Sequence, residues 1–227
     1  MINISISVLK NDLRLPLYQI LDGNITTKIA IQPIVNLRTS ETYGYEVLAR
    51  WDELPPDHIF ALAEEENVVE ILEELIIRAV RIKRPYIKGY LFVNVFPSIK
   101  HHKRFECLAK QNVILEITEA SAINFHGVNK LKKMGFAIAI DDLGTGKATF
   151  ESLLELRPNY LKLDKVLTQS LAIEDRNSLF KAIVDHASRI GSKVIAEGIE
   201  TAEQLEASTL MGCHFGQGYF LGKPIIL

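Results

Sequence analysis

The chain has 227 residues, of which 48% are hydrophobic and 24% are charged, as in an ordinary globular protein. Its net charge of -2 excludes a global attraction to a nucleic acid polymer, so an anionic ligand needs cations or local arginines to hold it. The sequence has no apolar run long enough for a membrane span and no signal-peptide pattern at the N-terminus, and its two cysteines cannot form a disulfide framework. We therefore expect a cytoplasmic protein without membrane insertion.

Short apolar runs alternate with segments of helical spacing along the chain. The predicted strands cover residues 29–35, 42–50, 90–96, 113–118, 136–141, 160–164, 193–198 and 217–221. Helical spacing occurs at residues 60–65, 71–76, 128–134 and 179–190. This alternation predicts parallel βαβ units, and eight strands in roughly 200 residues favour an α/β fold of the TIM-like (β/α)8 barrel type over an open sheet.

One connection departs from the pattern of a regular barrel. The first two predicted strands are joined only by residues 36–41. Because parallel neighbours need a crossover of a dozen or more residues, these two strands must be antiparallel. We therefore expect a barrel with one antiparallel strand over residues 28–227, and a helical extension over residues 1–27 that packs outside it.

Each predicted strand carries, or closes on, a polar side chain suited to metal, phosphate or water chemistry. In chain order these are Gln32, Glu46 with Arg50, Asn94, Glu116, Asp141 with Asp142, Lys162 with Asp164, Glu197, and Gln217. A carboxylate in an apolar strand is costly to bury unless something pairs with it. Because barrel active sites lie at the carboxyl ends of the parallel strands, these groups are expected to converge there around metal ions.

The adjacent aspartates Asp141 and Asp142 give the sharpest local signal. Neighbouring carboxylates after a buried strand repel each other unless cations lie between them, and side chains that point apart can serve two different metals. Lys162 interrupts another apolar strand. There it can act on a metal-bound water molecule while Asp164 holds the lysine side chain. The structural alternatives are a simple turn at the aspartates and a buried Lys–Asp pair.

Three further positions have chemistry that fits the same site. Alternation places Glu46, Leu48 and Arg50 on one face of the second strand, so that Glu46 can bind a metal while Arg50 reaches a phosphate. The neutral amide oxygen of Asn94 is a good ligand for a hard metal. The alternatives are an ion pair at the strand end for Glu46 and Arg50, and a capping role for Asn94.

The motifs together resemble the EAL-domain family of cyclic di-GMP phosphodiesterases. The Glu-Ala-Leu motif that names the family corresponds here to Glu46-Val47-Leu48. The other matching segments follow in the family's order over roughly residues 28 to 225: Gln32-Pro33-Ile34-Val35, Phe92-Val93-Asn94-Val95, Leu115-Glu116-Ile117-Thr118-Glu119, Asp141-Asp142-Leu143-Gly144-Thr145-Gly146, Leu161-Lys162-Leu163-Asp164-Lys165, Ala196-Glu197-Gly198-Ile199-Glu200 and Gln217-Gly218-Tyr219.

The resemblance implies hydrolysis of one phosphodiester bond of cyclic di-GMP to give linear 5′-pGpG, with two Mg²⁺ or Mn²⁺ ions as cofactors. It also implies a homodimer and control by a regulatory domain or a partner protein. The implied metal ligands are Glu46, Asn94, Glu116 and Asp141 for the first ion and Asp142 for the second. The implied catalytic residues are Lys162, Glu197, Gln217 and Glu119, the last of which braces a loop. The residues expected to bind substrate are Gln32, Leu48, Arg50 and Asp164.

Two alternative functions stay open on the sequence. Val47 stands where the family has alanine, Leu143 stands where phenylalanine is usual, and residues 147–150 differ from the family in the loop that links the metal site to the dimer interface. One alternative is a catalytically weak or inactive cyclic di-GMP receptor that acts through a protein partner. The other is a metal-dependent barrel enzyme that acts on a different phosphodiester.

Overall fold

The computed structural model describes residues 6–97, 99–117, 123–143, 150–169 and 174–227. The strands are β1 (Lys28–Asn36), β2 (Thr42–Arg50), β3 (Tyr90–Val95), β4 (Val113–Ile117), β5 (Ala137–Leu143), β6 (Tyr160–Leu163), β7 (Lys193–Ala196), β8 (Phe215–Gly216) and β9 (Ile225–Ile226). The α-helices are α1 (Ile6–Leu21), α2 (Pro56–Glu65), α3 (Val69–Lys83), α4 (Phe125–Lys133), α5 (Phe150–Leu156), α6 (Lys165–Gln169), α7 (Glu174–Ile190) and α8 (Ala202–Leu210). Short 3₁₀ helices cover Arg84–Tyr86 and His102–Leu108.

The strands close into an eight-stranded barrel. Strands β2 to β8 lie side by side in chain order and each is parallel to the next. Strand β1 closes the barrel between β8 and β2 and is antiparallel to both. The prediction of a TIM-like barrel with one antiparallel strand is therefore confirmed.

The turn between β1 and β2 explains the reversal. The side chain of Asn36 accepts hydrogen bonds from the backbone N–H groups of Arg38 at 2.9 Å and Thr39 at 3.2 Å, so the chain turns within a few residues. The pairing register then shifts and leaves Tyr43 as an extra residue on β2. Such a β-bulge re-aims a side chain, and here Tyr43 stacks on Phe215 with ring centroids 4.2 Å apart.

The barrel interior is filled by an apolar layer with a polar layer above it. The apolar layer contains Ile34, Phe92, Ile114, Ala139, Tyr160, Ile195 and Phe215, with Tyr43, Tyr90 and Ala137 packed against them. On β3 to β8 a polar residue follows two positions later in the chain: Asn94, Glu116, Asp141, Lys162, Glu197 and Gln217. Since successive inward-facing residues are two apart, the polar layer lies towards the carboxyl ends of these strands.

The helices pack around the outside of the barrel. The segments with helical spacing overlap α2, α3, α4 and α7. In α1, Leu17 and Ile20 are buried in the outer core, and Trp51 donates from Nε1 to the Thr27 hydroxyl at 2.9 Å. Helix α1 thus packs on the barrel, while the division at residue 27 stays a prediction. In the described part of the chain, no helix is both long and apolar enough to cross a membrane.

The end of the chain differs from the predicted strand at residues 217–221. Strand β8 ends at Gly216, because a turn follows in which the Gly218 carbonyl oxygen accepts hydrogen bonds from the N–H groups of Leu221 and Gly222, both at 3.0 Å. The chain then returns as β9, which pairs antiparallel with β1 at Ala30 and Ile31. Strands β8 and β9 therefore pair with the same edge of β1, β8 at its C-terminal end and β9 nearer its N-terminal end.

Candidate active site

The polar layer brings four carboxylates around one buried ammonium group. Lys162 Nζ lies 2.8 Å from Glu197 Oε1, 3.0 Å from both Glu116 Oε1 and Asp141 Oδ1, and 3.6 Å from Glu46 Oε1. The lysine side chain is 1% exposed and that of Glu116 is 0% exposed. One ammonium cannot neutralise four carboxylates, so the cluster carries excess negative charge if all four are ionised.

The amide side chains of Gln217 and Asn94 orient the Glu46 carboxylate, and Gln32 in turn contacts Gln217. Gln217 Nε2 donates to Glu46 Oε2 at 2.5 Å and to Gln32 Oε1 at 3.2 Å. Asn94 Nδ2 lies 3.4 Å from Glu46 Oε1. Gln32 in turn donates to the Gly222 carbonyl oxygen at 3.1 Å, which ties this network to the turn after β8. Gln217 and Asn94 thus direct their N–H groups at Glu46 and leave their oxygens for another partner.

The donor set fits divalent cations. Carboxylate oxygens of Glu46, Glu116 and Asp141 lie within 4.8 Å of one another, and so do those of Asp141, Asp142 and Glu197. In the described structure, Asn94 Oδ1, Gln217 Oε1 and Glu116 Oε2 are buried without a hydrogen-bond partner. Buried acceptors without donors are costly, and oxygen atoms of this kind are the ligands that Mg²⁺ and Mn²⁺ prefer.

A local distortion of β5 places both aspartates at the site. Pairing with β6 becomes irregular between Ile140 and Leu143, and Asp142 adopts the left-handed region with φ 57°. Its N–H donates to Asp141 Oδ1 at 3.0 Å. Regular alternation would send Asp142 to the opposite face of the strand, so this distortion allows two consecutive carboxylates to serve one site.

Burial and charge shift the pKa values of the cluster in opposite directions. Burial raises the pKa of Glu116 well above its usual value against the effect of Lys162, and it raises the pKa of Glu197 to about 8. Burial alone would lower the pKa of Lys162, but the surrounding carboxylates, Asp141 first among them, raise it well above its usual value. Without metal ions, therefore, the site holds a charged lysine and retains protons on some carboxyl groups.

A cleft of about 420 Å³ opens over this cluster. It is lined by Gln32, Glu46, Asp164, Lys165, Glu197, Gly198, Glu200, Gln217, Gly218 and Tyr219. Lys165, Glu200 and Tyr219 were not predicted as site residues, although each belongs to a segment that carries the family resemblance. A larger groove of about 520 Å³, with Ile31 and Tyr45 in its wall, has no acidic side chain in its described lining and cannot replace the cleft as a metal site.

Four other predicted site residues lie outside the polar layer or outside the described residues. Asp164 lines the cleft, but its Oδ1 accepts the N–H of Val166 at 2.8 Å at the start of α6. Leu48 and Arg50 are absent from the described lining, and Arg50 Nη1 donates to the neighbouring Ala49 carbonyl oxygen at 2.7 Å. Glu119 lies outside the described residues. The substrate-binding roles of Leu48, Arg50 and Asp164 and the bracing role of Glu119 stay predictions.

The fold agrees with the comparisons to known proteins. The family model of the EAL domain matches residues 21–224, so the chain belongs to the EAL domain family. The probable cyclic di-GMP phosphodiesterase PdeD of Escherichia coli is 31% identical over 220 residues, which are 86% of this chain and 41% of the relative. The cyclic di-GMP phosphodiesterase TpdA of Vibrio parahaemolyticus is 28% identical over 205 residues, which are 85% of this chain and 36% of the relative.

The chain spans less than half the length of these two curated relatives. Among solved structures, the PaMucR phosphodiesterase in complex with c-di-GMP superimposes with a TM-score of 0.80 at 27% identity. The match covers 94% of this chain and 97% of that chain. The barrel is thus shared over nearly the whole of both molecules.

Proposed function

We propose that this chain is a metal-dependent phosphodiesterase that hydrolyses cyclic di-GMP to linear 5′-pGpG. The observation that carries the proposal is the convergence of four carboxylates within 4 Å of Lys162 Nζ, beside buried oxygen atoms that have no hydrogen-bond donor. Relatives named as cyclic di-GMP phosphodiesterases and a similar structure with bound c-di-GMP support the choice of substrate.

The residues of the polar layer would hold two Mg²⁺ or Mn²⁺ ions. Glu46, Asn94, Glu116 and Asp141 are proposed as the ligands of one ion, and Asp142 as a ligand of the second. When bound, such ions lower the pKa of a water molecule and stabilise the negative charge that grows on the phosphate. The amides of Gln32 and Gln217 contribute by fixing the orientation of Glu46.

The chain's own titratable groups handle the proton and the charge of hydrolysis. In its ionised form Glu197 can accept a proton from the attacking water, whose oxygen forms the new bond to phosphorus. The bond from phosphorus to the 3′ oxygen breaks, and that oxygen takes up a proton from solvent water as it leaves. Lys162, 2.8 Å from Glu197, keeps a positive charge beside that carboxylate, where it can stabilise negative charge on the reacting phosphate. These roles follow general acid–base and electrostatic catalysis.

The rim of the cleft offers a surface for a guanine base. The Tyr219 side chain is 61% exposed and lines the cleft, and Lys223 Nζ lies 5.6 Å from the centre of its ring. An exposed ring of this kind can stack on a nucleobase. A homodimer, control by a regulatory domain or partner protein, and a cytoplasmic location belong to the same proposal and rest on the family resemblance.

The proposal is tested by incubating the protein with cyclic di-GMP and either Mg²⁺ or Mn²⁺, followed by chromatography of the products. We expect linear 5′-pGpG from the wild-type protein and none from Glu46→Gln. The matched control is Glu41→Gln, which changes an exposed residue of the same hairpin and should keep the wild-type rate. Tight binding without product under both metals would favour the receptor alternative, and absence of both binding and turnover would refute the proposal.

A further inference from the structure

A buried ion pair beside the site has no part in the chemistry proposed above. Glu73 on α3 is 4% exposed, its Oε1 accepts the backbone N–H of Phe96 at 2.6 Å, and its Oε2 pairs with Arg104 from the second 3₁₀ helix. The Arg104 side chain is 9% exposed and donates from Nη1 to Glu70 Oε1 at 3.2 Å and to the His101 carbonyl oxygen at 3.0 Å. The pair therefore joins α3, the 3₁₀ helix and the segment that follows β3.

Stability alone gives little reason for such a pair. Taking two charges out of water costs free energy that their attraction often does not recover, so apolar residues of similar size can be equally stabilising. What a buried and multiply bonded ion pair does provide is a fixed position for its partners. Here the group whose position is fixed is the Phe96 N–H, which lies directly beyond the end of β3.

The fixed backbone lies two residues from Asn94, where β3 loses one of its neighbours. Pairing of β3 with β2 ends at Val93, whereas pairing with β4 continues to Val95. The part of β3 that carries Asn94 is thus held by β4 on one side, and the bond from Phe96 to Glu73 adds a second attachment. The only hydrogen bond that the described structure gives the Asn94 side chain is the 3.4 Å contact with Glu46, so backbone position largely decides where its free Oδ1 points.

We propose that Glu73, fixed by Arg104, is a positioning residue that holds Asn94 in place as a metal ligand. This inference rests on the proposed function, because it takes Asn94 to be a ligand. Groups that orient metal ligands without touching the metal typically change metal affinity by about 10- to 100-fold when they are altered. Glu73 acts through the backbone of Phe96, so a loss of about tenfold is expected.

The test is Mn²⁺ affinity, measured from the electron paramagnetic resonance signal of free Mn²⁺ during titration of the full chain. Glu73→Gln keeps an oxygen for the Phe96 N–H but presents an amide to Arg104, and it should weaken Mn²⁺ binding about tenfold. Glu74→Gln changes the exposed neighbour on the same helix and should leave affinity unchanged. Asn94→Ala should also weaken binding, and adding Glu73→Gln to Asn94→Ala should weaken it no further.

The double variant separates positioning from general stability. A merely structural Glu73 would lower the melting temperature of Glu73→Gln while the folded protein kept wild-type Mn²⁺ affinity, and that result would overturn the inference. The inference would also be overturned if Glu73→Gln weakened Mn²⁺ binding by the same factor in the Asn94→Ala background as in the wild type. Wild-type affinity in Asn94→Ala would refute the ligand role of Asn94 itself, and the inference with it, whereas product formation from cyclic di-GMP would still be decided separately.

A second variant keeps the test informative if Glu73→Gln does not fold. Arg104→Lys preserves the positive charge, but a lysine cannot contact Glu70, Glu73 and the His101 carbonyl together as the guanidinium fork does. Like Glu73→Gln, Arg104→Lys should weaken Mn²⁺ binding. Adding it to Asn94→Ala should weaken binding no further. Wild-type affinity in Arg104→Lys would show that the ion pair does not position Asn94.

Discussion

Replacing Lys162 with methionine removes the ammonium group that holds the carboxylate cluster together. Its Nζ lies between 2.8 and 3.6 Å from four carboxylate oxygens. At about 3 Å and an effective dielectric constant of about 20, each contact with an ionised carboxylate corresponds to roughly 5 kcal/mol of gross attraction, most of which offsets desolvation. Removing one partner of a buried pair typically costs a net ~3–5 kcal/mol. For a domain of this size, that corresponds to a melting temperature lower by roughly 10 °C.

The assay is urea unfolding in the presence of EDTA, repeated with Mn²⁺. The matched control is Lys181→Met, because Lys181 pairs with Asp185 at 2.7 Å but is 51% exposed, and such a helix-surface pair contributes only about 0.3–0.5 kcal/mol. Mn²⁺ should stabilise Lys162→Met more than the wild type, since divalent cations replace the missing positive charge. A metal-free Lys162→Met that unfolds at the same urea concentration as Lys181→Met would refute the view that the ammonium holds the cluster.

Three further predictions concern pH, packing and the cleft rim. In EDTA the free energy of unfolding should fall as pH rises from about 5 to 8, because the pKa of Glu197 is raised to about 8 in the folded protein. The slope should be about 1.4 kcal/mol per pH unit for each proton that only the folded state holds. Glu197→Gln should remove one such proton from the slope measured by urea titrations. Gly218→Ala would place a methyl group 2.1 Å from the Ile199 carbonyl oxygen and should cost about 1–3 kcal/mol in the same assay, so unchanged stability would contradict the close approach. Tyr219→Ala should raise KM for cyclic di-GMP roughly tenfold while Tyr219→Phe keeps it, as stacking on a base contributes about 1–3 kcal/mol; equal KM values in both variants would exclude stacking.

The barrel and its reversed strand could be predicted because two independent features of the sequence record them. The connection at residues 36–41 is too short for a parallel crossover, and the structure confirms the antiparallel pair. The inward-facing residues carry the same information: on β3 Asn94 follows Phe92 by two positions, as on β4 to β8, whereas on β1 Gln32 precedes Ile34. The order of polar and apolar residues is reversed because that strand runs the other way.

The last predicted strand, at residues 217–221, lies after the observed β8, because the alternation of apolar and polar residues does not reveal a backbone turn. Residues 217–221 have the composition of a strand, yet the hydrogen bonds to the Gly218 carbonyl oxygen turn the chain there. Strand β9 is only two residues long, at Ile225–Ile226, and exists because it pairs with β1. Pairing between segments that are far apart in the chain cannot be read from the composition of either segment.

The site shows the same division between local and long-range information. Glu116 and Lys162 could be found because a charge in an apolar strand demands a partner, and the structure brings the two within 3.0 Å. Glu73 and Arg104 could not be found from the sequence, because each looks like an ordinary surface charge in its own segment. Only the packing of α3 against the 3₁₀ helix buries both. The left-handed backbone of Asp142 is likewise a property of the distorted strand and not of the aspartate pair alone.

The aromatic layer below the polar cluster closes that end of the site. Tyr43 and Tyr160 join their hydroxyl groups at 2.5 Å, while Phe92 and Phe215 pack around them and fill the barrel beneath the carboxylates. In the part of the chain that the structure describes, these aromatic rings thus form the floor of the site, and the cleft opens above the cluster. Under the proposed function, the linear product leaves through the same cleft by which cyclic di-GMP enters, so product and substrate compete for it.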